Sequence, residues 1–211
     1  RAVLESAAAR GVAIYGMNTG LGAKVGTAVE SGHDAFQRQL VLGRGAAVGA
    51  PLGRAETRAV MATRLSMLSA GGSGISPSTF EALVALVNAK IHPEMPSIGS
   101  IGAGDLVMLS ALAQCLIGEG RAELDGARIA SSEALRRAGL SPVVLAAKDG
   151  ISLLNASAVS AGLGALALVD ARSLLAAQRK AAALTFEALG GNPSIFTPAI
   201  QAARPAPRQP E

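Results

Sequence analysis

Tyr15, the only tyrosine in the sequence, stands at the root of a glycine-rich stretch, YGMNTGLGAKVG, that runs from Tyr15 to Gly26. A phenol can donate or accept a proton where its surroundings favour ionisation. Taken alone, a packed aromatic is the plainer reading of it. The Gly20-x-Gly22 element in the same stretch has the look of a phosphate cradle, because glycine amides and helix N-termini bind anions. It lacks the GxxxxGK spacing and the preceding strand that nucleotide binding needs, which leaves a flexible loop or a lid over a pocket. His33 and His92 have no cysteine or carboxylate at ligand spacing. Zinc sites need three or four convergent ligands, so both are expected to be surface or turn residues and no metal is expected. Ser152 and Ser157 lack the GxSxG context of a nucleophilic serine. A single cysteine, Cys115, excludes an intrachain disulfide and a multi-cysteine zinc site and fits a reducing cytosol.

The elements that must position such residues read as helices. Residues 1–10 place apolar groups at helical spacing and stop at Gly11, a C-terminal glycine position. A helix over 35–48 is interrupted by Gly43 and Gly45, each costing about 1 kcal/mol relative to alanine. Residues 55–70 repeat Ala, Val, Met and Leu every three to four positions. A helix over 77–91 opens with Ser78 and Glu81 at capping-box spacing. HPEMPSIGSIGAGD, 92–105, is a long loop feeding an almost wholly apolar helix, LVMLSALAQCLIGEG. Loops of that kind on rigid scaffolds are where sites are built. The Asp-Gly pair in RAELDGARIA predicts two short strands joined by a turn, followed by a polar helix. A small-residue-rich helix covers 156–189. The tail, with five prolines in its last 19 residues, cannot be a compact core element.

Composition agrees with this layout. Half of the 211 residues are hydrophobic and only 2% are aromatic, which suits close-packed helices. The formal charge of +4 comes from 19 scattered Lys and Arg without aromatic platforms, so no nucleic-acid partner is expected. The longest apolar run, Ala156 to Val169, falls short of a bilayer span, and no membrane association is expected. The first residues lack signal-peptide character, and the absence of an initial Met leads us to expect an upstream portion.

Five blocks become specific together. YGMNTGLG (15–22), QLVLGRGAAVG (39–49), PSIGSIGAGDLVMLSALAQCLIGEG (96–120), KDGISLLNASA (148–158) and PAIQAARPAPRQ (198–209) occur in the order and spacing of the aromatic amino acid ammonia-lyase family. The sequence resembles that family over essentially its whole length. The resemblance implies a mainly α fold, an ammonia-lyase-like helical bundle with a loop-built active site. Residues 1–190 would be its N-terminal and central part and 191–211 a Pro-rich connecting segment. It also implies a cytoplasmic homotetramer with shared active sites, acting on a small-molecule amino acid. The reaction would be α,β-elimination of ammonia from histidine or a related aromatic amino acid, giving an unsaturated acid such as urocanate.

By residue-level match, Tyr15 takes the place of the family's catalytic tyrosine and Asn155 that of an asparagine that positions substrate or electrophile. Asn18 and Gly22 fall in the mobile inner loop. Arg44 replaces a substrate-selecting histidine and could bind a carboxylate bidentately, a surface ion pair being the plainer alternative. Ala103, Gly104 and Asp105 match the ring-forming segment, Asp105 orienting that loop at the start of a helix. The family needs no external cofactor. Its electrophile is a methylidene-imidazolone ring made from an internal Ala-Ser-Gly, but here Ala103 is followed directly by Gly104, so the loop as written cannot form it. Three readings stay open. A serine-derived residue is missing from the written sequence, the protein is an inactive relative, or it expels a better leaving group without the ring. A quaternary trimethylammonium would be such a group, as in the ergothionase and trimethylhistidine lyase subgroup. The family's later blocks are absent after ARPAPRQ, so this piece alone is expected to be catalytically incomplete.

Overall fold

The computed structural model describes residues 1–29 and 33–203, the side chain of His33 excepted. The fold is mainly helical, as the apolar periodicity predicts. Two compact units divide the chain, Arg1–Leu166 and Ala167–Glu211.

The first unit is organised around α5, Leu106–Leu116, whose Met108, Leu109, Leu112, Ala113, Cys115 and Leu116 are all buried. A helix apolar on every side has to be enclosed. It is surrounded by α2 (His33–Leu42), α4 (Pro77–Asn88), α6 (Ser131–Arg137) and α7 (Asp149–Leu154). α3 (Arg54–Ser69) packs on α4 and contributes Val60, Met61 and Leu68 to the same core as Leu83, Leu86, Leu153 and Leu154. Truncating any of these leucines to alanine would cost about 2–5 kcal/mol, the usual sum of lost transfer energy and a cavity. α1, Ala2–Ala9, buries no residue and ends before Gly11 at φ +73°, as expected of a glycine-terminated helix.

Three local expectations are corrected. The helix expected over 35–48 ends at Leu42, and Val48–Pro51 is instead a strand, β1. The stretch 92–105 contains β2 (His92–Pro93) and β3 (Pro96–Ile98). Segments of two to four residues are too short to show alternation, and the prolines hide them. α4 is capped two residues earlier than expected, because Ser76 Oγ accepts from the Thr79 amide at 3.3 Å with Pro77 in the first turn, a favoured position for proline.

β1 pairs antiparallel with β3, and β2 pairs with β4 (Arg121–Leu124), which pairs with β5 (Ala127–Ala130). The β4–β5 turn is the expected Asp-Gly pair, both residues at positive φ, 51° and 85°, as the twist of a two-residue hairpin demands.

α8, Ala158–Ala188, has 31 residues. It belongs to a helical stretch, Asp149–Ala188, that is long and apolar enough to cross a membrane by length and composition alone. Its first turns are packed within the first unit: a Cβ on Gly162 would stand 2.9 Å from the Val60 amide nitrogen, so α8 and α3 touch backbone to backbone. In the second unit, Phe186 and Phe196 pack edge to face with centroids 5.3 Å apart, and α9 (Pro198–Ala203) buries no residue.

Candidate active site

The glycine-rich stretch folds back on itself through Asn18, whose Oδ1 accepts from the Ile14 amide at 2.7 Å while its Nδ2 donates to the Val12 carbonyl at 2.9 Å. Asn18 therefore shapes the turn that carries Tyr15. The Gly22 amide donates to Tyr15 Oη at 3.2 Å, and Tyr15 is exposed. Gly16, at φ +68°, lies so close to α7 that a Cβ there would come within 2.8 Å of Ile151 Cγ2. Only glycine meets both the left-handed backbone and the close approach. Gln37, fully buried on α2, joins the two elements: its Nε2 donates to the Gly16 carbonyl at 2.8 Å and its Oε1 accepts from the Gly150 amide at 2.8 Å.

α7 is held at both ends by buried charge. At its start, the Asp149 carboxylate accepts from the Ser76 amide (2.7 Å), Ser76 Oγ (2.6 Å), Thr79 Oγ1 (2.7 Å) and the Ala146 amide (2.9 Å). At its end, the buried Arg64 guanidinium donates through Nε to the Leu153 carbonyl at 3.1 Å and through Nη2 to the Ser152 carbonyl. Burial pushes the Arg64 guanidinium down to about 10, which leaves it charged at neutral pH. Asn155 follows directly, its amide donating to the Ile151 carbonyl at 2.9 Å.

Asp105 ties the 99–106 loop to the same corner. It sits before α5 without capping it; its carboxylate caps α8, accepting from the Ser160 amide at 2.8 Å and Ser160 Oγ at 3.0 Å. Its own amide donates to the Ala156 carbonyl at 2.8 Å. Gly104 is thereby held beside Asn155, the position of a Cβ on it being 3.9 Å from Asn155 Oδ1.

Tyr15 and Asn155 share one cavity of about 370 Å³ with Lys148, Arg64, Ser152 and the 71–73 loop. Of the residues singled out from the sequence, these two are brought together, with Gly104 and Asp105 adjoining Asn155, Gly22 bonded to Tyr15 and Asn18 to the turn before it, while Ala103 is exposed. Arg44 does not line that cavity. Gln37, Arg64 and Lys148 were missed. Arg64 had a signal, since it falls on the buried stripe of α3 with Val60, Met61 and Leu68, where a charge needs a partner.

His92 is not a surface residue. It is buried, its Nδ1 stands 2.8 Å from Glu123 Oε2, and its Nε2 faces Arg58 Nη1 at 3.4 Å. A neutral ring donating from Nδ1 and accepting at Nε2 satisfies both contacts. Burial, joined by Arg58 and Arg54, pushes His92 below its ordinary value although Glu123 pulls the other way. The counterpart expectation for His33 lies outside the described side chains.

The family profile described as aromatic amino acid lyase matches residues 1–211. The chain belongs to the aromatic amino acid lyase family. It is 44% identical to the histidine ammonia-lyase of Anaeromyxobacter dehalogenans over 99% of its own length and 43% of that relative's. Its fold superposes on the histidine ammonia-lyase of Trypanosoma cruzi with a TM-score of 0.90 and 32% identity, covering 99% of this chain and 41% of that one. It also superposes on the ergothionase of Treponema denticola, an ergothioneine-degrading enzyme, with a TM-score of 0.89 and 28% identity, covering 96% and 41%. The chain thus spans about two fifths of the length of the aromatic amino acid lyases it matches. The resemblance implies a self-formed ring at 103–104. The residues present do not fit it, because Ala103 is joined directly to Gly104 with no serine between them to lose water.

Proposed function

We propose that this protein is a carbon–nitrogen lyase that eliminates ammonia from histidine or a related aromatic amino acid to leave an unsaturated acid. The observation that carries the reading is the placement of Tyr15 and Asn155 on one cavity, within a chain 44% identical to a histidine ammonia-lyase. In α,β-elimination a proton leaves Cβ, its electron pair becomes the new double bond, and the Cα–N bond breaks with the nitrogen's electrons. Tyr15 Oη is the group that takes the β-proton, its orientation set by the Gly22 amide. Asn155 supplies an amide donor and acceptor that orient the substrate, and Asp105 keeps Gly104 and Asn155 together. Arg44, outside the cavity, has no contact with substrate in this reading. A positioned base contributes roughly 10²–10⁴ in rate.

A second reading is favoured by one observation, the missing serine between Ala103 and Gly104. A substrate whose nitrogen is already a trialkylammonium expels a neutral amine and needs no electrophilic activation. The same base and amide would serve it.

The test is incubation of the protein, in its longest natural form, with histidine, phenylalanine, trimethylhistidine and ergothioneine while near-ultraviolet absorbance and the released amine are followed. Ammonia with an absorbing acid supports the first reading, and trimethylamine the second. No product from any of the four overturns both.

The same reading carries a homotetrameric assembly in the cytoplasm. It is supported by the exposed apolar side chains of the second unit, such as Leu174 and Leu184. The cytoplasm fits a sequence whose single cysteine, Cys115, can form no intrachain disulfide.

A further inference from the structure

From Asp149 to Ala188 the chain runs as a helical stretch of 40 residues, interrupted at 155–157, the positions between α7 and α8. These residues are Asn155, Ala156 and Ser157. They include neither proline nor glycine, and Asn and Ser are weak helix formers without being stops. A sharp break then needs a side chain that enters the hydrogen-bond ladder.

Arg64 is that side chain. In an unbroken helix the carbonyls of Ser152 and Leu153 would accept from the amides of Ala156 and Ser157. Here the Ala156 amide donates to the Leu154 carbonyl at 3.0 Å. Arg64 takes the two carbonyls instead, Nε donating to Leu153 at 3.1 Å and Nη2 to Ser152. Its remaining nitrogen, Nη1, faces the Met67 sulfur at 3.9 Å, and no ion pair among the described residues includes it. A guanidinium buried without a carboxylate is costly to keep, and the orphan carbonyls at the end of a helix are the backbone environment that suits it.

The other side of the break carries the opposite charge. The Asp105 carboxylate holds Ser160 in the first turn of α8, and the Asp105 amide holds the Ala156 carbonyl. α3 backs both halves, since Val60, one turn before Arg64, meets Gly162 of α8 backbone to backbone. Asn155, the first residue of the break, is exposed and lines the Tyr15 cavity. Its ψ of 81° is far from the helical value of about −42°, so its place follows from where α7 stops.

We propose that Arg64 is the positioning residue of this site: by taking the carbonyls of Ser152 and Leu153 it keeps the helix broken and presents Asn155 to the cavity. The consequence for catalysis rests on the lyase reading above, whereas the break does not.

The protein in its longest natural form would be compared with Arg64→Met, Arg64→Lys, Asn155→Ala and the pair Arg64→Lys with Asn155→Ala. Hydrogen exchange in peptides covering 153–160 is expected to quicken by about tenfold in Arg64→Met, the worth of one lost charge-assisted hydrogen bond, with peptides from α4 and α6 unchanged. Arg64→Lys, which keeps the charge without the fork, is expected to fall between, and it decides alone if Arg64→Met does not fold. On whichever of the four candidate substrates gives product, Arg64→Lys is expected to lower kcat about ten- to a hundredfold, the cost of misplacing a catalytic group. In the Asn155→Ala background the same change should alter kcat by less than about twofold, the scatter of additive measurements, because Asn155 is the group through which Arg64 acts. A merely structural arginine would multiply its loss onto that of Asn155→Ala. If Asn155→Ala gives no product, the exchange measurement decides. The proposal is overturned if exchange at 153–160 is unchanged, if it quickens equally across the first unit, or if the two losses multiply. The lyase reading fails separately: no product from any of the four substrates, with the local quickening intact, sinks the reaction and leaves Arg64 as the residue that keeps the break.

Discussion

Asp105 is fully buried and accepts from both the amide and the hydroxyl of Ser160, so one side chain fixes the start of α8 and the end of the 99–106 loop. Asp105→Ala removes the acceptor and leaves the Ser160 amide to be satisfied by nothing else in a closed corner. The expected cost is about 1–3 kcal/mol, the range of a lost cap together with an unsatisfied donor. A denaturant titration measures it as a lower midpoint at unchanged slope. Turnover should fall more than stability accounts for, since Gly104 and Asn155 are held together by the same residue. Tyr15, Asn155 and Asp105 were all legible in the sequence because they sit in short ordered blocks that resemble a family. The partners of Gln37 and Arg64 were not. These side chains bond backbone groups at 16, 150, 152 and 153, and a backbone partner far along the chain is not written in a one-dimensional pattern.

At the level of elements, the glycine-rich loop and α7 are joined by Gln37, which bonds the Gly16 carbonyl on one side and the Gly150 amide on the other. Gln37→Leu fills the same space and strands both partners in the core. We expect a loss of about 2–5 kcal/mol, one unsatisfied group on each side, together with faster amide exchange through the Tyr15 turn than elsewhere in the first unit. Uniform exchange across that unit would show that Gln37 is general packing and not a tether. The long helices were readable because amphipathic periodicity over 12 to 16 residues is a strong signal. The four strands of two to four residues that hold β1–β3 and β2–β4 together were partly invisible, since pairing between positions such as 48 and 98 is a property of the folded chain.

β2 and β4 also carry a buried imidazole with a defined pH consequence. His92 lies below its ordinary value, first through burial and then through Arg58 and Arg54, against the pull of Glu123. Because the folded state resists its protonation more than the unfolded chain does, the stability it contributes is complete above about pH 6.5. It is lost as the pH falls from there through the folded value. Glu123 adds a second loss further down. Burial works against its charge, but hydrogen bonds from Arg54 and the Gly126 amide, with His92 beside it, hold it below the usual carboxylate range, so its contribution goes as the pH falls below about 4.5. His92→Gln should flatten the upper of these two limbs and leave the lower one. Midpoints of thermal unfolding followed from pH 8 to pH 4 decide it, and an unchanged upper limb would remove His92 from the account.

Across the whole molecule, the division at Leu166–Ala167 separates a unit with a continuous apolar core from one that shows its apolar side chains. In the second unit Val169 is 60% exposed, Leu174 70%, Leu175 52% and Leu184 73%, all on α8. Scattered single residues of this kind are ordinary on a surface, but a run of them along one helix marks a surface that associates. If they are the subunit contacts of the proposed homotetramer, the chain should sediment as a species larger than a monomer. Leu174→Lys with Leu184→Lys should shift it towards the monomer. Because both positions lie outside the core of the first unit, the variant should keep the unfolding midpoint of that unit. It should also keep the response of Tyr15 emission to imidazolepropionate, a substrate-like acid, since Tyr15 is the sole tyrosine, there is no tryptophan, and the Tyr15 cavity is lined wholly from within 1–166. A wild-type chain that sediments as a monomer across the micromolar range would show that these leucines are not sufficient for assembly. A double variant that loses the Tyr15 response along with association would show that the cavity depends on its neighbours.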